Sequence, residues 1–351
     1  MNISGIETPS IPTIFDPTTC SRKGLCPVTE IRHQGEVFES HSLYFEQHGT
    51  GPTKVLFIMG LNSTSFAWSP QVDYFGRKPE FSALVFDNRG VGNSGVPRGP
   101  YSTSGMAEDV IVLLDYVGWT AKRDFHVVGV SLGGMIAQEL ATRIPERIIS
   151  LTLAVTTPGG RPWTNLPPWK GLTSLLRLQF ITDPEVKIPI ILEMVFPRKW
   201  LDEQAENDPQ GRLNRELATL VCPASSFQVH HPRQVTNGHT QDYRKRIELT
   251  KPQAFFGAIS QMFAGLTHHV TPDRLSQISK TIPKVLILTG DEDDLVDPQN
   301  SLHLKKHMPE AELVQWEVTG HGIHVQRTDK FNALLERVFQ EGRERLESKT
   351  K

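Results

Sequence analysis

The stretch HVVGVSLGGMIAQEL, residues 126–140, places one serine where a strand pattern changes into a helix pattern. Gly129, Ser131 and Gly133 form the spacing G-x-S-x-G, in which small neighbours allow a very sharp turn. Such a turn exposes the serine hydroxyl above a sheet, and the following helix directs its amides at developing negative charge. Ser131 is therefore a candidate nucleophile. The same glycines also suit a strand-to-helix turn without chemistry, so the partners of Ser131 decide between the two interpretations.

A serine hydroxyl is a weak nucleophile near neutral pH and needs a histidine base that an acid orients. Acids fill every position from Asp291 to Asp294, directly after an apolar run that ends at Gly290. His321 lies in a Gly-His-Gly sequence after a later strand pattern, where a loop can carry its imidazole towards the serine, and His324 is its competitor. Both missing roles therefore have candidates downstream of Ser131.

With these motifs the chain resembles the α/β-hydrolase family, in which the nucleophile, the acid and the histidine follow in that order along the chain. The resemblance implies that Asp293 is the acid, because it stands three residues after Gly290 and is followed by a DLVDP tail. Asp291 and Asp294 stay open as alternatives. The resemblance also implies that His321 is the base, since the family has Gly-His after its last strand.

The resemblance further implies an oxyanion hole made of two backbone N–H groups. One belongs to Leu132, the residue after the nucleophile. The other belongs to Leu61 in the loop IMGLNSTSFAW, where Met59 stands at the position at which relatives commonly have histidine. A third family motif is FDNRGVGNSG, residues 86–95, and we interpret its polar side chains as shaping a loop through hydrogen bonds.

The elements that must position these residues are short apolar runs that alternate with helix-length segments. Continuous apolar runs are typical of strands that are buried on both faces of a parallel sheet. Helical spacing of apolar residues follows in 103–119 and 131–144. The fold class is therefore α/β, a mostly parallel sheet flanked by helices. The predicted buried strands are 55–60, 83–90, 125–131, 149–156, 284–291 and 312–321, preceded by strand patterns in 25–33 and 41–49.

The alternation stops between about 158 and 274, where helix patterns occur without a buried-strand run. The predicted organisation is an extended N-terminal arm (1–25), an α/β-hydrolase core (26–157 and 275–351) and a mainly helical cap insertion (158–274). A separate domain is the alternative for 158–274, but the return to a buried strand at Lys284 favours an insertion. His268 and His269 lie in this region, and packing is the favoured interpretation of both.

Composition restricts the partners. The chain has 351 residues and a formal net charge of −2, without a long run of one sign, so we expect no nucleic-acid partner. An odd number of cysteines (Cys20, Cys26, Cys222) and no signal-peptide or spanning pattern favour a reduced, cytoplasmic location. No cofactor is expected, because a serine triad performs acyl transfer unaided, and no metal is expected, because His230, His231 and His239 form no zinc-binding motif. Oligomeric state has no signal in the sequence.

The most favoured function is hydrolysis of a carboxylic ester, lactone, thioester or lipid ester, with an apolar small molecule as substrate. An aminopeptidase of the proline-iminopeptidase type is an alternative, since 86–95 also resembles that group. It would need acids in the cap, such as Glu193, Asp202, Glu203 or Glu206, to hold an ammonium group. A C–C bond hydrolase with the same triad and a ligand-binding protein of this fold with little turnover are the other candidates.

Overall fold

A computed structural model describes residues 11–29, 39–178, 180–181, 183–206, 208–221, 249, 251 and 253–350. Eight strands form one sheet in the order β1-β2-β4-β3-β5-β6-β7-β8. Only β2 runs against the others, and every neighbouring pair from β4 to β8 is parallel. The strands are β1 (Cys20–Val28), β2 (His41–His48), β3 (Thr53–Ile58), β4 (Phe81–Phe86), β5 (Phe125–Val130), β6 (Ile148–Ala154), β7 (Lys284–Gly290) and β8 (Glu312–Trp316).

Twelve α-helices have bounds within the described residues. Those that flank the sheet are α1 (Ser69–Gly76), α2 (Thr103–Val117), α3 (Leu132–Arg143), α9 (Pro272–Thr281), α10 (Gln299–His307), the single turn α11 (Ile323–Gln326) and α12 (Thr328–Thr350). Between β6 and α9, which directly precedes β7, lie α4 (Trp169–Leu178), α5 (Pro184–Val195), α6 (Arg198–Leu201), α7 (Asn214–Val221) and α8 (Phe255–Leu266). None of the described helices is long and apolar enough to cross a membrane.

The predicted α/β fold class is confirmed, and the central strands explain why the apolar runs were continuous. Every residue of β4, β5, β6 and β7 is buried, because helices cover both faces of the sheet. Separate apolar cores lie on the two faces. Leu56, Val127 and Ile136 belong to one of them, and Phe57, Val128 and Phe331 belong to the other.

Several strand boundaries differ from the sequence prediction, and two of the differences concern candidate site residues. Strand β1 begins at Cys20, so residues 20–25 of the predicted arm pair with β2 in the sheet. Strand β8 ends at Trp316, five positions before the predicted end, and Val318 then adopts a φ of 50°. This left-handed residue turns the chain out of the strand, so His321 lies on a loop. Residues 1–10 and 30–38 lie outside the described residues.

The predicted helix patterns between 158 and 274 correspond to α4, α5, α7 and α8, and no residue described there belongs to one of the eight strands. A third apolar core joins α4, α5 and α7, with Leu178, Leu192 and Phe196 among its buried members, whereas Ala264 of α8 belongs to the first core. Strands β6 and β7, on either side of this segment, are direct neighbours in the sheet. The division into arm, core and cap stays a prediction. We call residues 158–274 the β6–β7 segment.

Candidate active site

Ser131 occupies a sharp turn between β5 and α3. Its φ of 56° and ψ of −123° lie outside the regions that most side chains adopt. The turn needs small neighbours. A Cβ atom on Gly129 would lie 2.4 Å from the carbonyl oxygen of Gly133, and one on Gly133 would lie 2.0 Å from that of Ile58. The G-x-S-x-G spacing is thus a consequence of how closely the turn and the β3 loop approach each other.

His321 and Asp293 form a hydrogen-bonded pair. His321 Nδ1 lies 2.8 Å from Asp293 Oδ2 and 3.0 Å from Oδ1. The Asp293 side chain is fully buried, and its Oδ1 also accepts hydrogen bonds from the backbone N–H groups of Leu295 and Val296. A carboxylate oxygen accepts from Nδ1–H of His321, which leaves the lone pair of a neutral ring on Nε2.

The alternatives for the acid and the base have other contacts. Asp291 is exposed and accepts a hydrogen bond from the Thr319 backbone, whereas Asp294 forms an ion pair with Lys170. His324 is buried, and its ring centroid lies 4.9 Å from that of Trp68. Among the described residues, Asp293 is the acid that contacts His321.

The two predicted oxyanion donors lie beside Ser131. Leu132 is the first residue of α3, and its N–H makes no hydrogen bond within the described residues, which is also true of Leu61 N–H. The loop that carries Leu61 passes close to the serine, because a Cβ atom on Gly60 would lie 3.0 Å from Ser131 Cβ. The Asn88 side-chain amide donates a hydrogen bond of 2.9 Å to the Met59 carbonyl and so fixes this loop.

Two glutamines that the sequence analysis did not select connect the β6–β7 segment to this loop. Gln261, on α8, accepts a hydrogen bond of 2.8 Å from Asn62 N–H and donates one of 2.7 Å to the Arg89 carbonyl. Gln253 donates to Asn62 Oδ1 and to the Gly90 carbonyl. Asn62 itself has a φ of 53°. The only signal in the sequence is a glutamine on an otherwise apolar helix pattern, and that pattern does not identify its partner.

Hydrogen bonds of polar side chains hold the FDNRGVGNSG loop, as predicted, and these side chains are buried. Asp87 accepts hydrogen bonds from Ser65 N–H, the Ser65 hydroxyl and Asn93 N–H, while burial raises its pKa to about 6. Arg89 forms a bidentate ion pair with Asp109. Burial acts to raise the pKa of Asp109, but Arg89 and His41 outweigh it and keep the pKa below its ordinary value.

Ser131 and His321 open into one cavity of about 540 Å³. Aliphatic and methionine side chains dominate its lining, among them Met59, Leu61 and Met135 from beside the sheet and Leu175, Met194 and Ile259 from the β6–β7 segment. Asp297 is the single charged side chain among the described lining residues, if the histidines are counted as neutral. A cavity of this kind favours an uncharged, largely apolar ligand.

The four acids considered for holding an ammonium group lie elsewhere. None of Glu193, Asp202, Glu203 and Glu206 lines the cavity, and Glu193 and Asp202 form ion pairs with Arg198 and Arg215. His268 is buried against the Thr103 hydroxyl at 2.8 Å, and burial lowers its pKa to about 3. His269 is exposed. Packing, as predicted, therefore accounts for His268.

Proteins with related sequences are named for hydrolytic reactions. The chain is 28% identical over 295 residues to a putative carbamate hydrolase, RutD, of Azorhizobium caulinodans, which covers 84% of this chain and 93% of that protein. It is 27% identical over 268 residues to a poly(3-hydroxyalkanoate) depolymerase of Ectopseudomonas oleovorans, with 76% and 78% of the two chains covered.

Solved structures share the fold at lower identity. A thermophilic esterase from Thermogutta terrifontis superimposes with a TM-score of 0.64 at 18% identity, over 92% of this chain and 99% of that one. An enol-lactonase from Burkholderia xenovorans LB400 gives a TM-score of 0.61 at 17% identity, over 86% and 97%. The family model for the alpha/beta hydrolase fold matches residues 53–328. The sheet, the sharp serine turn and this match together show that the chain belongs to the alpha/beta hydrolase fold family.

Proposed function

We propose that this hydrolase cleaves carboxylic esters with an apolar acyl group, through a covalent acyl-enzyme on Ser131. His321, oriented by Asp293, takes the hydroxyl proton from Ser131 as Oγ attacks the ester carbonyl carbon. The N–H groups of Leu61 and Leu132 hold the negative charge that forms on the carbonyl oxygen. The protonated His321 then donates its proton to the leaving alkoxide, so the alcohol departs and the acyl group stays on Ser131.

Hydrolysis of the acyl-enzyme by a water molecule completes the reaction. His321 takes a proton from a water molecule, the resulting hydroxide adds to the acyl carbon, and the tetrahedral intermediate collapses to release the acid. His321 returns its proton to Ser131 Oγ. Every proton is thus transferred between His321 and either Ser131, the alcohol or water, and no cofactor enters the balance.

One observation carries the proposal. Ser131 lines the same apolar cavity as His321, and His321 has its Nδ1 bound to a buried carboxylate, so its basic Nε2 is left for the reaction. The lining favours esters over the ammonium-bearing substrates of an aminopeptidase, because Asp297 is the single acid among the described residues that line the cavity. The cavity volume of about 540 Å³ is also larger than a small carbamate requires, although relatives are named for carbamate hydrolysis.

The test is hydrolysis of p-nitrophenyl acetate, butyrate and octanoate, with proline p-nitroanilide as the peptidase substrate. Wild type should cleave the esters, with kcat/KM rising from acetate to octanoate. Ser131→Ala should lower kcat by about 10⁴-fold or more, because no nucleophile remains. Ser63→Ala is the matched control, since Ser63 also lines the cavity, and it should keep kcat within a few-fold.

Three outcomes would contradict the proposal. Full esterase activity in Ser131→Ala would exclude Ser131 as the nucleophile. Faster turnover of the anilide than of any ester would favour the aminopeptidase. If no substrate is cleaved and a fluorophosphonate probe fails to label Ser131, a ligand-binding role would replace catalysis.

A further inference from the structure

A second cluster of reactive side chains lies on the first two strands, away from the cavity. Cys20 Sγ, Glu46 and His48 place one potential ligand atom each within 4.8 Å of the others. Glu46 and His48 are two positions apart on β2 and so share one face of that strand. Cys20 is the register partner of His48 on β1. None of the three lines the cavity that Ser131 and His321 share.

The contacts of His48 determine which ring nitrogen carries the proton of the neutral ring. Thr19 Oγ1 lies 2.9 Å from the Asp16 carbonyl and 2.8 Å from His48 Nδ1. A carbonyl can only accept, so the single hydroxyl proton of Thr19 goes to Asp16. His48 must then donate its Nδ1–H to Thr19. The lone pair of the neutral ring is therefore on Nε2, which is buried and has no hydrogen-bond partner among the described residues.

Glu46 presents a second acceptor to the same point. Its Oε1 accepts hydrogen bonds from the Tyr44 hydroxyl at 2.6 Å and the Thr13 hydroxyl at 2.7 Å. Its Oε2 is buried, makes no hydrogen bond within the described residues, and lies 3.5 Å from His48 Nε2. Both side chains have no exposed surface. Two unsatisfied acceptors that face each other in a buried space need either a shared proton or a metal cation between them.

We propose that Cys20, Glu46 and His48 form a binding site for a divalent transition metal ion, with zinc as the ion that the donor set fits best. A thiolate, an imidazole and a carboxylate are the donors that zinc takes in proteins, whereas magnesium and calcium prefer oxygen alone. Ligands about 2.0–2.1 Å from zinc in a tetrahedron lie about 3.3 Å apart, which is close to the separation of Oε2 and Nε2.

The surroundings supply the features that such a site needs. Thr19 holds the ring of His48 from behind, and Tyr44 and Thr13 hold the second oxygen of Glu46, so partners outside the cluster orient two of the ligands. In the described part of the chain, no lysine or arginine forms an ion pair with Glu46. Cys20 is partly exposed and gives the ion a route from solvent. Binding releases the Cys20 thiol proton to water, and a water molecule takes the fourth position.

The alternative is a protonated His48 that forms an ion pair with Glu46. In that case Nε2 carries a hydrogen, the 3.5 Å separation is a long hydrogen bond, and Cys20 takes no part. The two interpretations therefore differ in the role of the thiol, so the experiment tests whether Cys20 binds the metal.

The experiment uses the full-length protein, stripped with EDTA and titrated with Co²⁺ and Zn²⁺. Wild type should bind one equivalent of Co²⁺ and develop a thiolate-to-cobalt charge-transfer band in the near ultraviolet, and Zn²⁺ should displace it. Cys20→Ser should abolish that band, and His48→Gln should weaken binding more than tenfold. Cys26→Ser is the matched control, because Cys26 is a free, buried cysteine on the same strand outside the cluster.

A second readout does not depend on any variant. Zn²⁺ should protect Cys20 of wild type from alkylation by iodoacetamide, as measured by peptide mass spectrometry, while leaving ester hydrolysis unchanged. The proposal is overturned if wild type binds no Co²⁺ or Zn²⁺ at micromolar free metal. It is also overturned if Cys20→Ser retains the charge-transfer band, or if Zn²⁺ leaves the alkylation rate of Cys20 unaltered.

Discussion

At the scale of single residues, the structure distinguishes among acids that are adjacent in the sequence. Asp291, Glu292, Asp293 and Asp294 all follow β7, yet only Asp293 has a buried side chain and contacts His321. The resemblance to the family implied that Asp293 is the acid. The periodicity of apolar residues cannot distinguish it from its neighbours, because the turn after Gly290 determines which side chain points inwards. The backbone N–H groups of Leu295 and Val296 then stabilise that carboxylate.

Asp293→Asn should lower kcat for p-nitrophenyl butyrate by about 10³–10⁴-fold, because an amide does not fix the His321 tautomer that a base requires. KM should change little, since Asp293 does not line the cavity. Asp291→Asn is the matched control, as an exposed acid two residues away, and should stay within a few-fold of wild type. An equal loss in both variants, measured by steady-state kinetics, would contradict the assignment of the acid.

At the scale of elements, the β6–β7 segment does more than line the cavity. Helix α8 holds the Leu61 loop through Gln261, whose side chain is fully buried and bonded to both Asn62 and Arg89. The predicted oxyanion donor is therefore positioned by a helix that lies about 200 residues further along the chain. Gln261 is a positioning residue, since it acts through the loop.

Gln261→Leu should reduce kcat for p-nitrophenyl butyrate by about 10–100-fold, because the loop loses the contact that fixes the Leu61 N–H. KM should stay within a few-fold, and a fluorophosphonate should still label Ser131, though more slowly. Ser260→Ala, a buried neighbour on α8, is the control. A variant with unchanged kcat and a raised KM would instead indicate that Gln261 contributes only to the shape of the cavity.

The sheet edge at β8 depends on a different set of charges. Glu312 accepts hydrogen bonds from Arg337 of α12 at 2.6 Å and from Lys284 of β7 at 2.5 Å. Arg337 is the largest cause of the lowered pKa of Glu312, which falls from 4.5 to about 2. A depressed carboxyl pKa stabilises the fold above pH 4.5, and this contribution is lost as the pH falls towards 2.

Glu312→Gln should therefore lower the free energy of unfolding by about 2 kcal/mol at pH 7 and by about half as much at pH 3. Urea denaturation at both pH values measures the difference. Glu317→Gln, at an exposed position without an ion pair in the described residues, should have no comparable effect. A deficit that does not depend on pH would show that packing, and not charge, is what Glu312 contributes.

At the scale of the whole molecule, the elements that depend on a short local sequence pattern were predicted. The buried strands, the G-x-S-x-G turn and the helices of the β6–β7 segment each have a signal of fewer than about 20 residues, so their types were predicted correctly. The extent of β1 was wrong because its polar residues, Ser21, Arg22 and Lys23, belong to a half-exposed edge strand. Polar alternation on such a strand resembles a loop.

Contacts between distant segments could not be predicted in the same way. The pairing of Cys20 with His48 depends on the register of β1 and β2, and the bond between Gln261 and Asn62 depends on how α8 packs. The spacing of Glu46 and His48 does place them on one strand face. The sequence alone, however, does not predict that Glu46 Oε2 and His48 Nε2 face each other, because their separation depends on the side-chain conformations in the folded protein.

The unusual dihedral angles of Ser131 have a consequence for how this sequence can drift over generations. A non-glycine residue at a φ of 56° and a ψ of −123° stores about 1–3 kcal/mol of backbone strain. Glycine at this position would release much of that strain, so Ser131→Gly, which would remove the proposed nucleophile, should leave a protein at least as stable as wild type. Folding alone therefore does not preserve the serine. Its persistence in a lineage would have to come from the chemistry that the organism requires, and a lineage freed from that requirement would drift towards idle but well-folded descendants.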